Sequence, residues 1–158
     1  MFMFFDEKVF ELDIQGLESS NEVLQHLSDK LESLGIVKNT YKQAILKREE
    51  EFPTGITFGN YGIAIPHTDA EHVIKPQIGV MTLHEPVEFV QMASQDTLVE
   101  VNTIFILALK EAHSQIDILQ KLMTLLQNTE VMEKINQLKN TDEDKEILKE
   151  ILNKEVSY

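Results

Sequence analysis

The sequence predicts an α/β sandwich of two or three layers, in which helices flank a central mixed sheet. Apolar runs of strand length alternate with segments of helical period, and the C-terminal third is helical in pattern throughout. Residues 103–109 are almost all apolar, as expected for a central strand covered on both faces. Some links between predicted strands are too short for parallel crossovers, so the sheet is expected to be mixed. At 158 residues, the chain is expected to form a single domain, residues 1–158.

Alternation and capping predict the first strand and the first helix. Apolar and acidic side chains alternate over residues 9–14, a pattern typical of a half-buried strand. Ser19 and Glu22 have the spacing of a capping box, and the apolar residues that follow recur at helical period. Gly35 comes next, where the end of a helix favours positive φ. We therefore expect a strand followed by a helix that ends near Gly35.

A second helix and a pair of short strands are predicted next. The helix is expected to begin at Asn39 or Thr40. It must end before Pro53, because the residue that precedes a proline is disfavoured in the α region. Residues 56–58 and 62–65 are short apolar runs joined by a Gly-Asn-Tyr link, so each is predicted to be a strand.

The remaining strands and helices follow from further apolar runs. Residues 78–83 predict a strand that the His-Glu-Pro sequence at 84–86 closes, with a separate edge strand at 87–89. The central strand at 103–109 comes after these. Three helix N-termini are then predicted from their capping residues, at Ser114, Thr129 and Thr141.

Composition excludes several classes of protein. Lys and Arg number 14 against 27 Asp and Glu, a formal charge of −13 that would repel nucleic acid and anionic membranes and would suit a partner with a basic rim. The absence of cysteine excludes disulfides, a thiolate nucleophile and a sulfur-ligated metal. The apolar run at residues 1–5 is too short for a signal segment or a membrane span. We expect a cytoplasmic protein without direct membrane insertion.

The strongest candidate site begins where the predicted strand 62–65 ends. Pro66 stops that strand and His67 follows it directly. Open α/β sheets place their chemistry at strand ends. Further titratable residues follow within five positions, namely Asp69, Glu71 and His72.

A metal site is one interpretation of this cluster. His67, Asp69 and His72 are acceptable ligands for zinc or iron, and His113 could supply a fourth. A serine hydrolase and a nucleotide-binding protein are disfavoured, since the chain has no Gly-x-Ser-x-Gly and neither of the common glycine-rich phosphate loops.

A nucleophilic histidine is the other interpretation. Neutral imidazole can attack a phosphoryl group near neutral pH, provided that a hydrogen bond to its second nitrogen fixes the tautomer. Asp69 or Glu71 could make that bond. Arg48 could present a planar fork to the phosphoryl oxygens, and Thr54 could donate a further hydrogen bond to them.

Three stretches of the chain resemble the IIA components of the bacterial sugar phosphotransferase system, in the fructose–mannitol class. They are Arg-Glu at 48–49, Pro-Thr-Gly-Ile at 53–56, and Gly-Ile-Ala-Ile-Pro-His at 62–67. The stretch 48–56 looks most like the galactitol-type members. Pro53 and Thr68 stand where many relatives have serine and glycine, which moves the chain away from the mannitol and nitrogen-regulatory members.

The resemblance implies a phosphocarrier with a phosphohistidine intermediate. It implies that His67 accepts a phosphoryl group from the carrier protein HPr and passes it to a cysteine of a IIB component during sugar uptake. Arg48 and His113 match the active-site arginine and the second active-site histidine of the family. No metal and no cofactor are expected. An alternative is a regulatory module of the same fold that signals its phosphorylation state by binding other proteins.

Overall fold

The computed structural model describes residues 5–110 and 116–156. Within this part of the chain, five strands form one sheet and five α-helices flank it. In chain order these elements are β1 Phe10–Ile14, α1 Ser20–Ser33, α2 Tyr41–Glu51, β2 Gly55–Phe58, β3 Tyr61–Ala64, β4 Gln77–Val90, β5 Leu98–Ala108, α3 Ile116–Leu126, α4 Thr129–Gln137 and α5 Asp142–Glu155. Two short 3₁₀ helices lie at Glu7–Val9 and Ala70–His72. No helix in the described ranges is long and apolar enough to cross a bilayer.

The sheet is mixed, as the short links between strands predict. Its strand order is β1-β4-β5-β3-β2. β1 runs parallel to β4, and β3 runs parallel to β5. The β4–β5 and β2–β3 pairs are antiparallel hairpins. The central position of β5 agrees with its sequence, since residues 103–108 are all buried.

Helices cover both faces of the sheet, which gives the sandwich three layers. A Cβ placed on Gly79 of β4 would lie 3.9 Å from Leu31 of α1, so that face meets the first helices. Thr103 of β5 donates a hydrogen bond to Asn136 of α4, 2.7 Å away. Gly79 pairs with Ile106, three positions from Thr103, so the two contacts lie on opposite faces. The helices of the C-terminal third therefore pack against the face that α1 leaves open.

β4 corrects the predicted end of a strand at residues 84–86. The structure has one strand from Gln77 to Val90, where the sequence predicts a strand, a stop and a separate edge strand. The register against β5 shifts between Thr82 and Val87, so Pro86 falls in an irregular step of the ladder. A bulge tolerates a proline because no ladder hydrogen bond is required of it there.

The capping signals identify the helix ends closely. Ser19 caps α1 and accepts a hydrogen bond from the Glu22 amide at 3.1 Å. The Glu22 carboxylate accepts a hydrogen bond from the Glu18 amide at 2.7 Å. A capping box would instead use the amide of Ser19, one residue later. Gly35 has φ of +73°, as expected for its position after the helix.

Among the C-terminal helices, the cap of α4 differs from prediction by one residue. Thr141 caps α5 as predicted, with its hydroxyl 3.1 Å from the Asp144 amide. α4 is capped by Asn128, whose side chain accepts from the Val131 amide, and the predicted cap Thr129 is its first helical residue. Ser114, the predicted cap of α3, lies outside the described residues.

Replacing Gly62 with alanine is expected to destabilise the fold much more than replacing Gly35. A Cβ on Gly62 would overlap the Glu100 carbonyl oxygen and lie 2.9 Å from Cγ1 of Val99. Neither neighbour can yield without moving β5, so we expect a loss of about 3 kcal/mol or more.

Gly35→Ala is the matched control. Its Cβ would meet nothing within 4 Å, and only the positive φ opposes it, which costs about 1 kcal/mol. Urea unfolding followed by circular dichroism measures both losses. Equal losses would contradict the close packing of β3 on β5.

Candidate active site

His67 leaves the sheet at the end of β3. The strand ends at Ala64, and Pro66 has no N–H with which to continue it. The Pro66 carbonyl oxygen nevertheless accepts a hydrogen bond from the Leu107 amide at 3.0 Å, so His67 still pairs with β5 at an isolated parallel bridge. The ring is partly buried. The backbone that carries it is therefore held against the buried half of β5, residues 103–108.

Tyr41, the first residue of α2, supports the same anchor. Its hydroxyl donates to the Leu107 carbonyl oxygen at 3.0 Å, and its side chain is fully buried. Burial raises the pKa of Tyr41 far above its ordinary value, so the hydroxyl stays a proton donor. This contact joins residues 66 positions apart, so no local pattern in the sequence predicts it.

A hydrogen bond to the backbone fixes the tautomer of His67. Its Nδ1 lies 2.9 Å from the Ile65 carbonyl oxygen. A carbonyl oxygen only accepts hydrogen bonds, so Nδ1 must carry the proton of the neutral ring. The lone pair of the neutral ring is then on Nε2. The carboxylates proposed for this task, Asp69 and Glu71, do not make the bond that the structure describes.

His67 opens onto a depression of about 440 Å³. Residues 67–70 form its rim, and three of them, His67, Thr68 and Asp69, are polar. Its apolar walls come from β5, from the strand exit and from α3, through Ile65, Leu107, Leu109, Leu119 and Met123. The largely apolar lining of this depression suits contact with another protein.

Arg48, which the sequence analysis selects as a candidate for the phosphoryl oxygens, reaches the same rim from the last turn of α2. Its Nη1 is 3.9 Å from a carboxylate oxygen of Asp69, and its Cζ is 4.6 Å from the centroid of the Phe52 ring. The Arg48 and Asp69 side chains are 39% and 70% exposed, so their ion pair is weak. Asp69 therefore holds the guanidinium only weakly.

Thr54 is engaged with Glu49, a residue to which the sequence analysis gives no role. The Thr54 amide and hydroxyl each donate to a different oxygen of the Glu49 carboxylate, both at 2.8 Å. Thr54 is buried, and its hydroxyl proton is directed at Glu49. The donation of this hydroxyl to a phosphoryl oxygen stays a prediction. Burial raises the pKa of Glu49 to about 7, against the opposing effect of the two hydrogen bonds.

The predicted metal ligands serve other contacts. Nδ1 of His72 lies 2.8 Å from the Thr40 hydroxyl at the start of α2, and its Nε2 lies 3.8 Å from Glu71. Asp69 faces Arg48. Across residues 5–110 and 116–156, no three His, Asp or Glu side chains are grouped as a metal site. His113 lies outside the described residues, so its place in this site stays a prediction.

Comparison with known proteins gives consistent matches to one family. The family described as "Phosphoenolpyruvate-dependent sugar phosphotransferase system, EIIA 2" matches residues 3–151. The galactitol-specific EIIA component of Escherichia coli K12 is 34% identical over 121 residues, which are 77% of this chain and 80% of that protein.

Two solved structures are similar in fold. A phosphotransferase-system IIA protein, PtxA of Streptococcus mutans, has a TM-score of 0.74 at 21% identity, covering 94% of this chain and 90% of its own. The Escherichia coli complex of enzyme IIA and phosphorylated enzyme IIB for mannitol has a TM-score of 0.73 at 21% identity, covering 95% and 97%. At this level of identity, the likeness shows that the fold is shared.

The neutral ring of His67 is expected to be the Nδ1–H tautomer. Long-range ¹H–¹⁵N correlation spectra of the neutral ring should show a protonated Nδ1 and an unprotonated Nε2, because the Ile65 carbonyl oxygen holds the proton on Nδ1. The exposed ring of His26 supplies the reference pattern in the same spectrum. A proton on Nε2 of neutral His67 would contradict this geometry.

Glu49→Gln is expected to remove a pH-dependent cost to stability. The folded chain has a Glu49 pKa of about 7 against an ordinary value of 4.5, so it binds that proton more tightly than the unfolded chain. Stability therefore falls as pH rises from about 4.5 through 7. Relative to the unmodified protein, the glutamine variant should gain stability across that window, by at most about 3 kcal/mol.

Urea unfolding at about pH 5 and about pH 8 measures this difference. Glu50→Gln, the same change at the exposed neighbouring residue, serves as the control and should differ little between the two conditions. A Glu49→Gln effect that is equal at both pH values would show that Glu49 titrates normally.

Proposed function

The chain belongs to the EIIA 2 family of the phosphoenolpyruvate-dependent sugar phosphotransferase system, and we propose that it carries the phosphoryl group on Nε2 of His67. The observation that carries this assignment is the hydrogen bond from Nδ1 to the Ile65 carbonyl oxygen. It leaves a lone pair on the nitrogen that the chemistry requires, on a histidine at the rim of an open depression.

The acceptance step needs few groups from the protein. The Nε2 lone pair attacks the phosphorus of a phosphohistidine on HPr, and the Nε2–P bond forms as the donor N–P bond breaks. The donor imidazole leaves with the bonding pair. Positive charge develops on the His67 ring, and the Ile65 carbonyl oxygen stabilises it through Nδ1–H.

Arg48 is suited to stabilise the phosphoryl oxygens during transfer. Its guanidinium lies at the rim beside Asp69, and a planar fork can bind two oxygens at once. Asp69 would be displaced by the more highly charged phosphoryl group. Thr54 and His113 are kept as predicted contributors, the first behind its hydrogen bond to Glu49 and the second outside the described residues.

The onward step reverses the chemistry. A cysteine thiolate of a IIB component attacks the phosphorus, an S–P bond forms, and Nε2 of His67 recovers its lone pair. The apolar walls of the depression favour docking of a protein surface and the exclusion of water, which would otherwise hydrolyse the phosphohistidine. The net charge of −13 favours partners with basic rims around their active residues.

Galactitol or a related sugar alcohol is the proposed transported substrate. Support comes from the galactitol-specific relative of Escherichia coli K12, 34% identical to this chain. Sugar recognition itself belongs mainly to the membrane partner. We place the reaction in the cytoplasm, as the sequence predicts, with no cofactor.

His67→Ala is expected to abolish phosphoryl acceptance. Incubation of the unmodified protein with enzyme I, HPr and phosphoenolpyruvate should add one phosphate that is labile in acid and stable in base, and the alanine variant should take up none because it lacks the nucleophile. His26→Ala, on the exposed side of α1, is the control and should accept at the normal rate.

Uptake of labelled phosphate by the His67→Ala protein would contradict the proposal. A protein that accepts phosphate on His67 but transfers none to a cognate IIB would favour the regulatory module instead. Both outcomes are measured in one experiment, by following the labelled phosphate on this protein and on IIB.

A further inference from the structure

The Glu49 carboxylate joins the end of α2 to the start of β2. Glu49 lies in the last turn of the helix, and Thr54 directly precedes the strand. Each carboxylate oxygen accepts one hydrogen bond from Thr54, from the amide and from the hydroxyl, both at 2.8 Å. The three residues between the helix and the strand, 52–54, are thus closed into a turn by a two-point contact.

Both ends of this turn are fixed by backbone contacts as well. The Phe52 amide donates to the Arg48 carbonyl oxygen at 2.7 Å. On the other side, the Gly55 carbonyl oxygen accepts from the Met92 amide at 2.8 Å, and a Cβ on Gly55 would lie 2.8 Å from the Val90 carbonyl oxygen. The Glu49 carboxylate is the side-chain contact that spans the segment between these two fixed points.

The turn includes Phe52, whose ring packs against the guanidinium of Arg48. The Phe52 ring is 57% exposed and lies under the guanidinium, 4.6 Å from Cζ of Arg48. The guanidinium also forms an ion pair with Asp69, which is long, at 3.9 Å, and exposed. Nε of Arg48 is buried and has no hydrogen-bond partner among the described residues. The position of this fork therefore depends strongly on where the turn places Phe52.

We propose that Glu49 is a positioning residue for phosphoryl transfer, which holds the turn at 52–54 and thereby keeps Phe52 and Arg48 at the rim of the His67 depression. The inference rests on the proposed function of His67. Glu49 itself does not touch the phosphoryl group in this role. Its contribution passes through Arg48, and that dependence makes the proposal testable.

The role is geometric, so the Glu49→Gln change should preserve it. The amide oxygen of the new side chain would accept from the Thr54 amide, and its NH₂ would donate to the Thr54 hydroxyl oxygen, which can accept. Alanine removes both contacts and frees the turn. A displacement of about 1 Å in a group that positions substrate can lower a rate by about a hundredfold, so a large effect is possible without a contact to phosphorus.

The experiment measures the initial rate of acceptance from phosphorylated HPr. Glu49→Ala is expected to lower this rate about tenfold or more, while Glu49→Gln stays within about twofold of the unmodified protein. Glu50→Ala is the matched control, because it removes the same charged group from the next, exposed residue of α2. It should leave the rate unchanged.

The coupling to Arg48 separates positioning from a general structural effect. In an Arg48→Ala background, the further change Glu49→Ala should lower the rate by less than about twofold, because the group that Glu49 positions is already gone. An equal loss in both backgrounds would overturn the proposal. So would a Glu49→Gln protein as slow as Glu49→Ala, since the charge and not the turn would then be required.

Two further measurements keep the outcomes distinct. If Glu49→Ala does not fold, as judged by circular dichroism, Glu49→Met takes its place, because methionine fills similar space and offers Thr54 no carboxylate oxygen. A normal rate for a folded Glu49→Ala or Glu49→Met protein would overturn the positioning role. Failure of the unmodified protein to label on His67 would instead overturn the proposed function.

Discussion

The hydrogen bond between the Leu107 amide and the Pro66 carbonyl oxygen is the contact on which the site depends. Pro66 cannot donate to a ladder, yet its carbonyl oxygen keeps the chain paired with β5 at 3.0 Å. The pairing thus extends past the end of β3 and fixes the point where His67 leaves the sheet. Because β5 is buried between helices on both faces, this point cannot shift without disturbing the core.

A single helix holds the other side of the same anchor and supplies the cation. Tyr41, at the start of α2, donates to the Leu107 carbonyl oxygen, and Arg48 lies seven residues later, on the same side of the helix. The distance along the helix between these side chains is about 10 Å. Rigid placement of α2 on β5 therefore sets the guanidinium relative to the histidine, and the turn after α2 refines it.

The local signals in the sequence identify the elements and single out one histidine as the candidate reactive residue. Ser19, Gly35 and Thr141 mark helix ends correctly, because each acts on backbone groups within a few positions. His67 stands out because a strand, a proline and a histidine follow one another. A proline does not always end a strand: at Pro86 the register against β5 shifts, but β4 continues. A bulge depends on the pairing with the partner strand, so the proline alone does not predict it.

The contacts that hold the reactive groups could not be predicted in this way. The carbonyl oxygen of Ile65 fixes the His67 tautomer, and every residue type offers such an oxygen, so a search among carboxylates leads to Asp69 and Glu71 instead. The bond between Tyr41 and Leu107 depends on how α2 packs on β5. Sequence patterns reveal side chains whose chemistry is unusual at their position, such as a histidine at the end of a strand. The candidate site also depends on backbone carbonyl oxygens, and only the arrangement of the strands reveals which of them act as hydrogen-bond acceptors.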